Sequence, residues 1–183
     1  MRRAFLIAAC AALAFSAAAP SALAASARAL AADSQAALDR LYAANPKAKE
    51  LGQRARAILV FPRIVKAGLM VGGQGGDGAL IENGRATRFY KTVAGTYGLQ
   101  AGVQSYSSAL FFITPSSLDY LKKSEGWSIG SGPSVVVIDQ GKAKSMNTTT
   151  LSQDVYAFIY GQKGLMAGLG LEGSKITQIY PDP

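Results

Sequence analysis

Histidine is absent from this 183-residue chain, and its one cysteine, Cys10, stands among the first ten residues. Once a leader of 24 residues is set aside, for reasons given below, neither imidazole nor thiol remains. That excludes Ser-His-Asp and Cys-His catalysis and the usual zinc sites. It excludes disulfides as well, so the exported chain must rely on its core for stability. Eleven acidic residues are spread singly, with no D-x-D, D-x-x-E or E-x-x-E cluster to bring two carboxylates onto one turn. Glycosidase-type pairs assembled from distant positions stay open, but no residue is selected by the sequence. The expectation is a protein that is not an enzyme, with no catalytic residues, no metal site and no cofactor.

A long hydrophobic run is also lacking. Arg2 and Arg3 precede an apolar stretch from Ala4 to Ala19, and Ala22-Leu23-Ala24 gives a small-x-small cleavage signal. Those features describe a secretory signal peptide over residues 1–24. The stretch is alanine-rich and falls short of the roughly 20 residues a spanning helix needs. Ile7-Ala8-Ala9-Cys10 has the small-residue pattern of a lipobox, so a lipoprotein anchored through Cys10 is the alternative. The expected location is the periplasm or cell envelope, with residues 25–183 as one domain large enough for its own core.

Acidic charge is in short supply. Without Arg2 and Arg3 there are 17 Lys and Arg against 11 Asp and Glu, a net charge of +6. That favours an anionic partner, and export makes nucleic acid the least expected of these.

From Ala25 to about Arg56 the apolar spacing is helical. Leu38, Leu41 and Tyr42 recur on one face, with Asp33, Asp39 and Arg40 on the others. Asn45-Pro46 divides the stretch: Asn45 caps and Pro46 opens a second helix, Lys47 to about Arg56, with Ala48, Leu51 and Ala55 inward. After Ala57 come short β-rich runs: "AILVF" ending at Pro62, "IVKAGLMVGG", then "ALIE" and "RATRFY" flanking Asn83-Gly84, a strong hairpin signal. "YGLQAGVQSYSSALFFI" reads as one long strand or two. "SVVVI", "DVYAFIY", "LMAGLGL" and "SKITQIY" complete the set, with a turn at Asp139-Gln140-Gly141. One helix interrupts them, capped by Thr114, opened by Pro115 and running to about Ser124 with Leu118 and Leu121 inward. The fold class is therefore α+β: a mainly antiparallel barrel or sandwich with glycine-rich strands, two N-terminal helices and one inserted helix.

Glycine-rich "GGQGGDG", Gly72 to Gly78, fits two ligand motifs on paper. A dinucleotide loop needs a helix after it, and a hairpin follows instead. A calcium-binding nonapeptide needs tandem copies, and there is one. The form G-L-x-small-G does recur, at Gly68–Gly72, Gly98–Gly102 and Gly164–Gly168. Repeated strand glycines mark places where a sheet bends sharply or another backbone comes close; a lipid lying on bare backbone is the alternative. Phe111, Phe112, Tyr156, Phe158 and Tyr160 alternate as strand-core residues do, without the basic interleaving of a single-strand nucleic-acid platform. Trp127 is expected as a half-buried lid over the core. Lys122-Lys123 is accounted for by the helix dipole.

Lys47, Lys49, Arg54, Arg56, Arg63 and Lys66 fall within 20 residues, opposed only by Glu50. On a short helix continuing into a strand they form a candidate positive patch beside apolar side chains, suited to an anionic bilayer surface. An ordinary solvated helix face is the alternative, and charge alone favours it slightly.

At "ARAILVFPRIVKAGLMVGGQGGDGALIENG" the sequence resembles the SYLF lipid-binding domain family. The matching residues are Ala55-Arg56-Ala57, Val60-Phe61-Pro62, Lys66-Ala67-Gly68, Gly72-Gly73, Gly76 and Gly78. The similarity continues through "GLQAGVQSYSSALFFIT" and "DVYAFIYGQKGLMAGLGLEGSKI", so that it extends from about Leu38 to Tyr180. It implies phospholipid-membrane binding without catalytic residues, through basic N-terminal sequence that corresponds here to Lys47–Lys66. The signal peptide, and the lack of any appended SH3 or FYVE module, make the chain similar to exported bacterial members, for which anionic headgroups carry over better than phosphoinositides or actin. The expected function is anionic-phospholipid binding in the bacterial envelope, and the alternative is an envelope protein–protein interaction or structural module with its own protein partner.

Overall fold

The computed structural model describes residues 26–138, 152–164, 171 and 173–183. The leader with Cys10, the Asp139-Gln140-Gly141 turn, most of "LMAGLGL" and the third glycine repeat lie outside the described residues. Helix α1 (Ala27–Ala44) is capped by the Ser26 hydroxyl, which accepts from the Ala29 N–H, and the Ala27 N–H donates to the Asp182 carbonyl of the C-terminal tail. The Asn45 side chain accepts from Lys47 and Ala48, so α2 (Pro46–Arg54) starts with its orphan donors satisfied and its proline where no N–H is needed.

Two long strands, β1 (Ala57–Glu82) and β2 (Arg85–Phe112), form one antiparallel ladder joined at Asn83-Gly84, where both residues have positive φ, 50° and 74°. This is the twist-matched two-residue hairpin the dipeptide favours. After β2 come α3 (Pro115–Lys123), β3 (Trp127–Ser128), β4 (Val135–Ile138), β5 (Val155–Gly164) and β6 (Lys175–Ile179). The sheet order is β3-β6-β2-β5-β4, with β1 on the other edge of β2, and among the described residues only the β4–β5 pair is parallel. The α+β architecture expected from the pattern is present, and the sheet takes the form of a curled half-barrel.

The runs that the sequence separates at Pro62 and at the glycines are continuous strand. Pro62 sits in a register shift between Phe61 and Ile64, where a missing N–H costs no ladder bond. The first two glycine repeats pair with each other: Gly68 lies opposite Gly102 and Met70 opposite Gly98, with a second register shift between Leu69 and Met70. There β1 folds back over itself. A Cβ on Gly78 would overlap the Val60 carbonyl oxygen, one on Gly76 that of Arg63, and one on Gly72 that of Ala67. Glycine is therefore required because backbone rests on backbone.

Curling gives the sheet two apolar faces. Inside lie Leu59, Phe61, Ile64, Leu80, Tyr90, Leu110, Phe112 and Ile176. Outside, Leu38, Leu41, Ala48 and Leu51 of the helices cover Val60, Ala109, Phe111 and Phe158. Trp127 is wholly buried rather than a half-exposed lid, because its indole N–H donates to the Ser131 carbonyl at 2.8 Å and leaves the ring free to pack on Phe112. Lys122, assigned from sequence to the helix dipole, also pairs with Glu82 at 2.7 Å and pins α3 to the hairpin.

Asp154 ties three elements together. Its carboxylate accepts from the Thr114 hydroxyl that caps α3 and from the backbone N–H and hydroxyl of Ser134 ahead of β4. Hydrogen bonds from Ser134 and Thr114 hold its carboxyl below the usual carboxylate range. A depressed folded pKa contributes stability above the unfolded value that is lost as pH falls through the folded one. Asp154→Ala is expected to cost about 2 kcal/mol at neutral pH through loss of the cap network. Urea denaturation from pH 7 down to 3 should show the gap between variant and parent closing below about pH 4. A gap that persists unchanged at pH 3 would refute the role of the carboxylate.

Candidate functional site: a basic cleft at paired strand bulges

The central strand β2 alternates faces, and its outward positions lose cover one by one. Phe111 and Ala109 are fully buried under α1 and α2, Ser107 is 8% exposed, Ser105 half-buried, and Val103 65% exposed. The cover stops where α1 stops, and a cleft of about 810 Å³ opens there. Arg40 and Ala44 line it from the last turns of α1, Pro62 and Arg63 from β1, Ser105 and Ser107 from β2, and Tyr160, Gly161 and Lys163 from β5.

Both neighbours of β2 bulge at this level. On one side, Phe61 pairs with Ser108 and Ile64 with Tyr106, so β1 carries one extra residue. On the other, Tyr160 pairs with Ser107 and Lys163 with Ser105, so β5 carries one extra residue too, at Gly161 with φ +64°. Bulges bend strands and re-aim side chains. Here they bring Arg63 and Lys163, from opposite edges of β2, to the same cleft as Arg40.

The hydroxyls around the cleft hold its walls. The Ser107 hydroxyl donates to the Pro62 carbonyl at 2.8 Å, fixing the β1 bulge. The Tyr160 hydroxyl donates to the Ala37 carbonyl at 3.0 Å and locks β5 to α1. Burial raises the Tyr160 phenol well above its ordinary value, against the opposing charge of Arg40, and burial pushes Tyr106 up to about 12. Both therefore stay protonated across the neutral range. Among the described residues, no carboxylate lines the cleft, and Arg40, Arg63 and Lys163 form no ion pair.

The six basic residues singled out in the sequence do not share one surface. Lys47, Lys49 and Arg54 ride on α2, with Lys49 and Arg54 exposed, and Arg56 is exposed in the link to β1. Arg63 is in the cleft. Lys66 is covered, 9% exposed and paired in register with Gln104, which is 3% exposed. Sequence reasoning placed Arg40 among outward polar residues and gave Lys163 no role. The signals that locate the cleft are a proline inside one apolar run and a glycine at the end of another, both marks of bulges. "GGQGGDG" lies within β1 and leads into the hairpin, without a following helix.

Among the described residues, no helix is long and apolar enough to cross a membrane, and no group of three or more Cys, Asp or Glu is placed to hold a metal ion. No curated protein matches the chain significantly. Residues 93–180 match the family described as "Ysc84: Las17-binding protein actin regulator", a stretch that begins within β2, ends just after β6 and includes Ser105, Ser107, Tyr160 and Lys163 of the cleft. That match places residues 93–180 in the Ysc84 (SYLF) family.

Proposed function

We propose that this protein is a non-enzymatic module that attaches to anionic phospholipid surfaces of the bacterial envelope, mainly by charge. The observation that carries this reading is the division of labour on α2. Its apolar side chains are already used, since Ala48 and Leu51 are fully buried against the sheet, while Lys49, Arg54 and Arg56 face solvent. A helix docked in this way adds cations to a surface without inserting into it. The net charge of +6 on residues 25–183 acts in the same sense. The family match over residues 93–180 supports a binding role of this kind.

Each basic side chain near an anionic surface contributes about 1 kcal/mol, and salt screens it. Sedimentation with anionic and neutral liposomes over a salt series should show binding to the anionic vesicles alone, fading as salt rises. Combined Lys47→Glu, Lys49→Glu, Arg54→Glu and Arg56→Glu should weaken that binding on the order of 100-fold or more. Equal binding to neutral vesicles, or binding indifferent to salt, would sink the reading.

A further inference from the structure

We propose that the cleft bounded by Arg40, Arg63 and Lys163 is a dedicated site for a phosphate monoester, and that its occupant is the headgroup of a single phospholipid. The inference rests on the lipid reading for the source of the phosphate but not for the site itself. Three basic residues line the cleft from three different elements, α1, β1 and β5, and no carboxylate among its described lining residues offsets them. Gathering like charges in one concavity costs repulsion that a bound anion removes. A fold that merely wanted soluble surface charge would not need two bulges facing one another across β2 to collect them.

The chemistry narrows the class. Two guanidinium forks and an ammonium suit a tetrahedral oxyanion, which arginine binds in bidentate fashion. Three positive charges are better matched by the near-dianionic charge of a monoester, as in phosphatidic acid, than by the single charge of a phosphodiester. The cleft has the volume of an ordinary small-ligand site. Its walls are braced beforehand by the Tyr160–Ala37 and Ser107–Pro62 hydrogen bonds, so little ordering is left to be done on binding.

The rim points to a lipid over free phosphate. On the same face of β2, one alternation beyond Ser105, Val103 is 65% exposed, and its ladder partner Ala67 is exposed as well. An anion pocket with exposed valine and alanine one strand step beyond its lining suits a ligand with a charged end and an apolar remainder.

The test is a calorimetric and NMR titration of the purified protein, at fixed ionic strength, with three probes: dihexanoyl phosphatidic acid, dihexanoyl phosphatidylcholine and inorganic phosphate. Phosphatidic acid should bind at least tenfold more tightly than either of the others, with shifts centred on Ser105, Ser107 and Lys163. Arg63→Ala and Lys163→Ala should each weaken it about tenfold or more, and Arg63→Lys should fall between parent and Arg63→Ala. The Glu-substituted α2 variant should retain the site, even though it leaves vesicles. A cleft variant counts only when its amide spectrum remains dispersed like the parent's, and exposed Lys163 supplies the independent second position. Short-chain phosphatidic acid binding that ignores Arg63→Ala and Lys163→Ala would overturn the site while leaving electrostatic vesicle binding intact. Inorganic phosphate binding as tightly as phosphatidic acid would overturn the lipid as occupant, and phosphatidylcholine binding as tightly would overturn the monoester.

Discussion

Gly78→Ala is expected to destabilise the domain by about 3 kcal/mol or more, while Gly95→Ala, on the facing strand, changes stability by no more than about 0.5 kcal/mol. Both glycines lie in the same antiparallel ladder, so strand propensity does not separate them. Their surroundings do. A methyl group on Gly78 would overlap the Val60 carbonyl oxygen and come within 2.7 Å of the Phe61 ring, whereas one on Gly95 meets nothing within 4 Å. At Gly78 the obstacle is backbone held by its own ladder bonds to β2, so it cannot move aside as the end of a long side chain would. Relief requires the fold-back of β1 to open. Overpacking of side chains costs about 1–3 kcal/mol, and a clash with fixed backbone belongs at or above the top of that range. Alanine at Gly95 instead lowers the entropy of the unfolded chain without strain, and any shift should be slightly favourable. Urea denaturation midpoints of the two variants decide the matter. Similar costs at both positions would mean that the glycines of β1 are there for flexibility and not for close approach.

That contrast also separates what was legible in the sequence from what was not. Local rules located the helices: Ser, Asn and Thr caps, prolines in first turns and 3.6-residue spacing placed all three within a few residues, and Asn83-Gly84 placed the hairpin. Phe111 and Phe112 read correctly as strand core because both faces of their strand are covered. The lengths of β1 and β2 were not legible, since proline and glycine end most strands and here they mark bulges and a fold-back instead. Whether a glycine ends a strand or admits a second backbone depends on what lies opposite, and that is fixed only by long-range pairing. The same reason hid most of the cleft. Arg40, Arg63 and Lys163 are separated by up to 123 positions, and spacing along the chain carries no trace of their meeting. A cluster of charges in sequence is easier to see, yet the structure disperses it, with Lys66 turned into cover and Arg63 into the cleft.

Phe111→Ala and Phe112→Ala should each cost about 3–5 kcal/mol, because both rings are fully buried. Successive residues on a strand point to opposite faces, so the two truncations hollow out different cores. Phe111 stacks edge-on against Phe158 at 5.3 Å and approaches Tyr42 of α1 at 6.5 Å, so it belongs to the layer that holds the helices on the sheet. Phe112 packs on Trp127 at 6.0 Å, inside the curl. Equal losses of global stability should therefore accompany different patterns of local opening. In hydrogen exchange, Phe111→Ala should expose the amides of α1 and α2 first, and Phe112→Ala those near β3 and β6. The cleft shares a wall with the first of these layers through Arg40 and the Tyr160–Ala37 hydrogen bond. At temperatures where both variants are still folded, Phe111→Ala should consequently loosen the cleft and Phe112→Ala should leave it in place. Identical exchange patterns in the two variants would show that the helical layer and the interior of the curl open as one unit, and that the cleft is not held by α1 in the way the geometry requires.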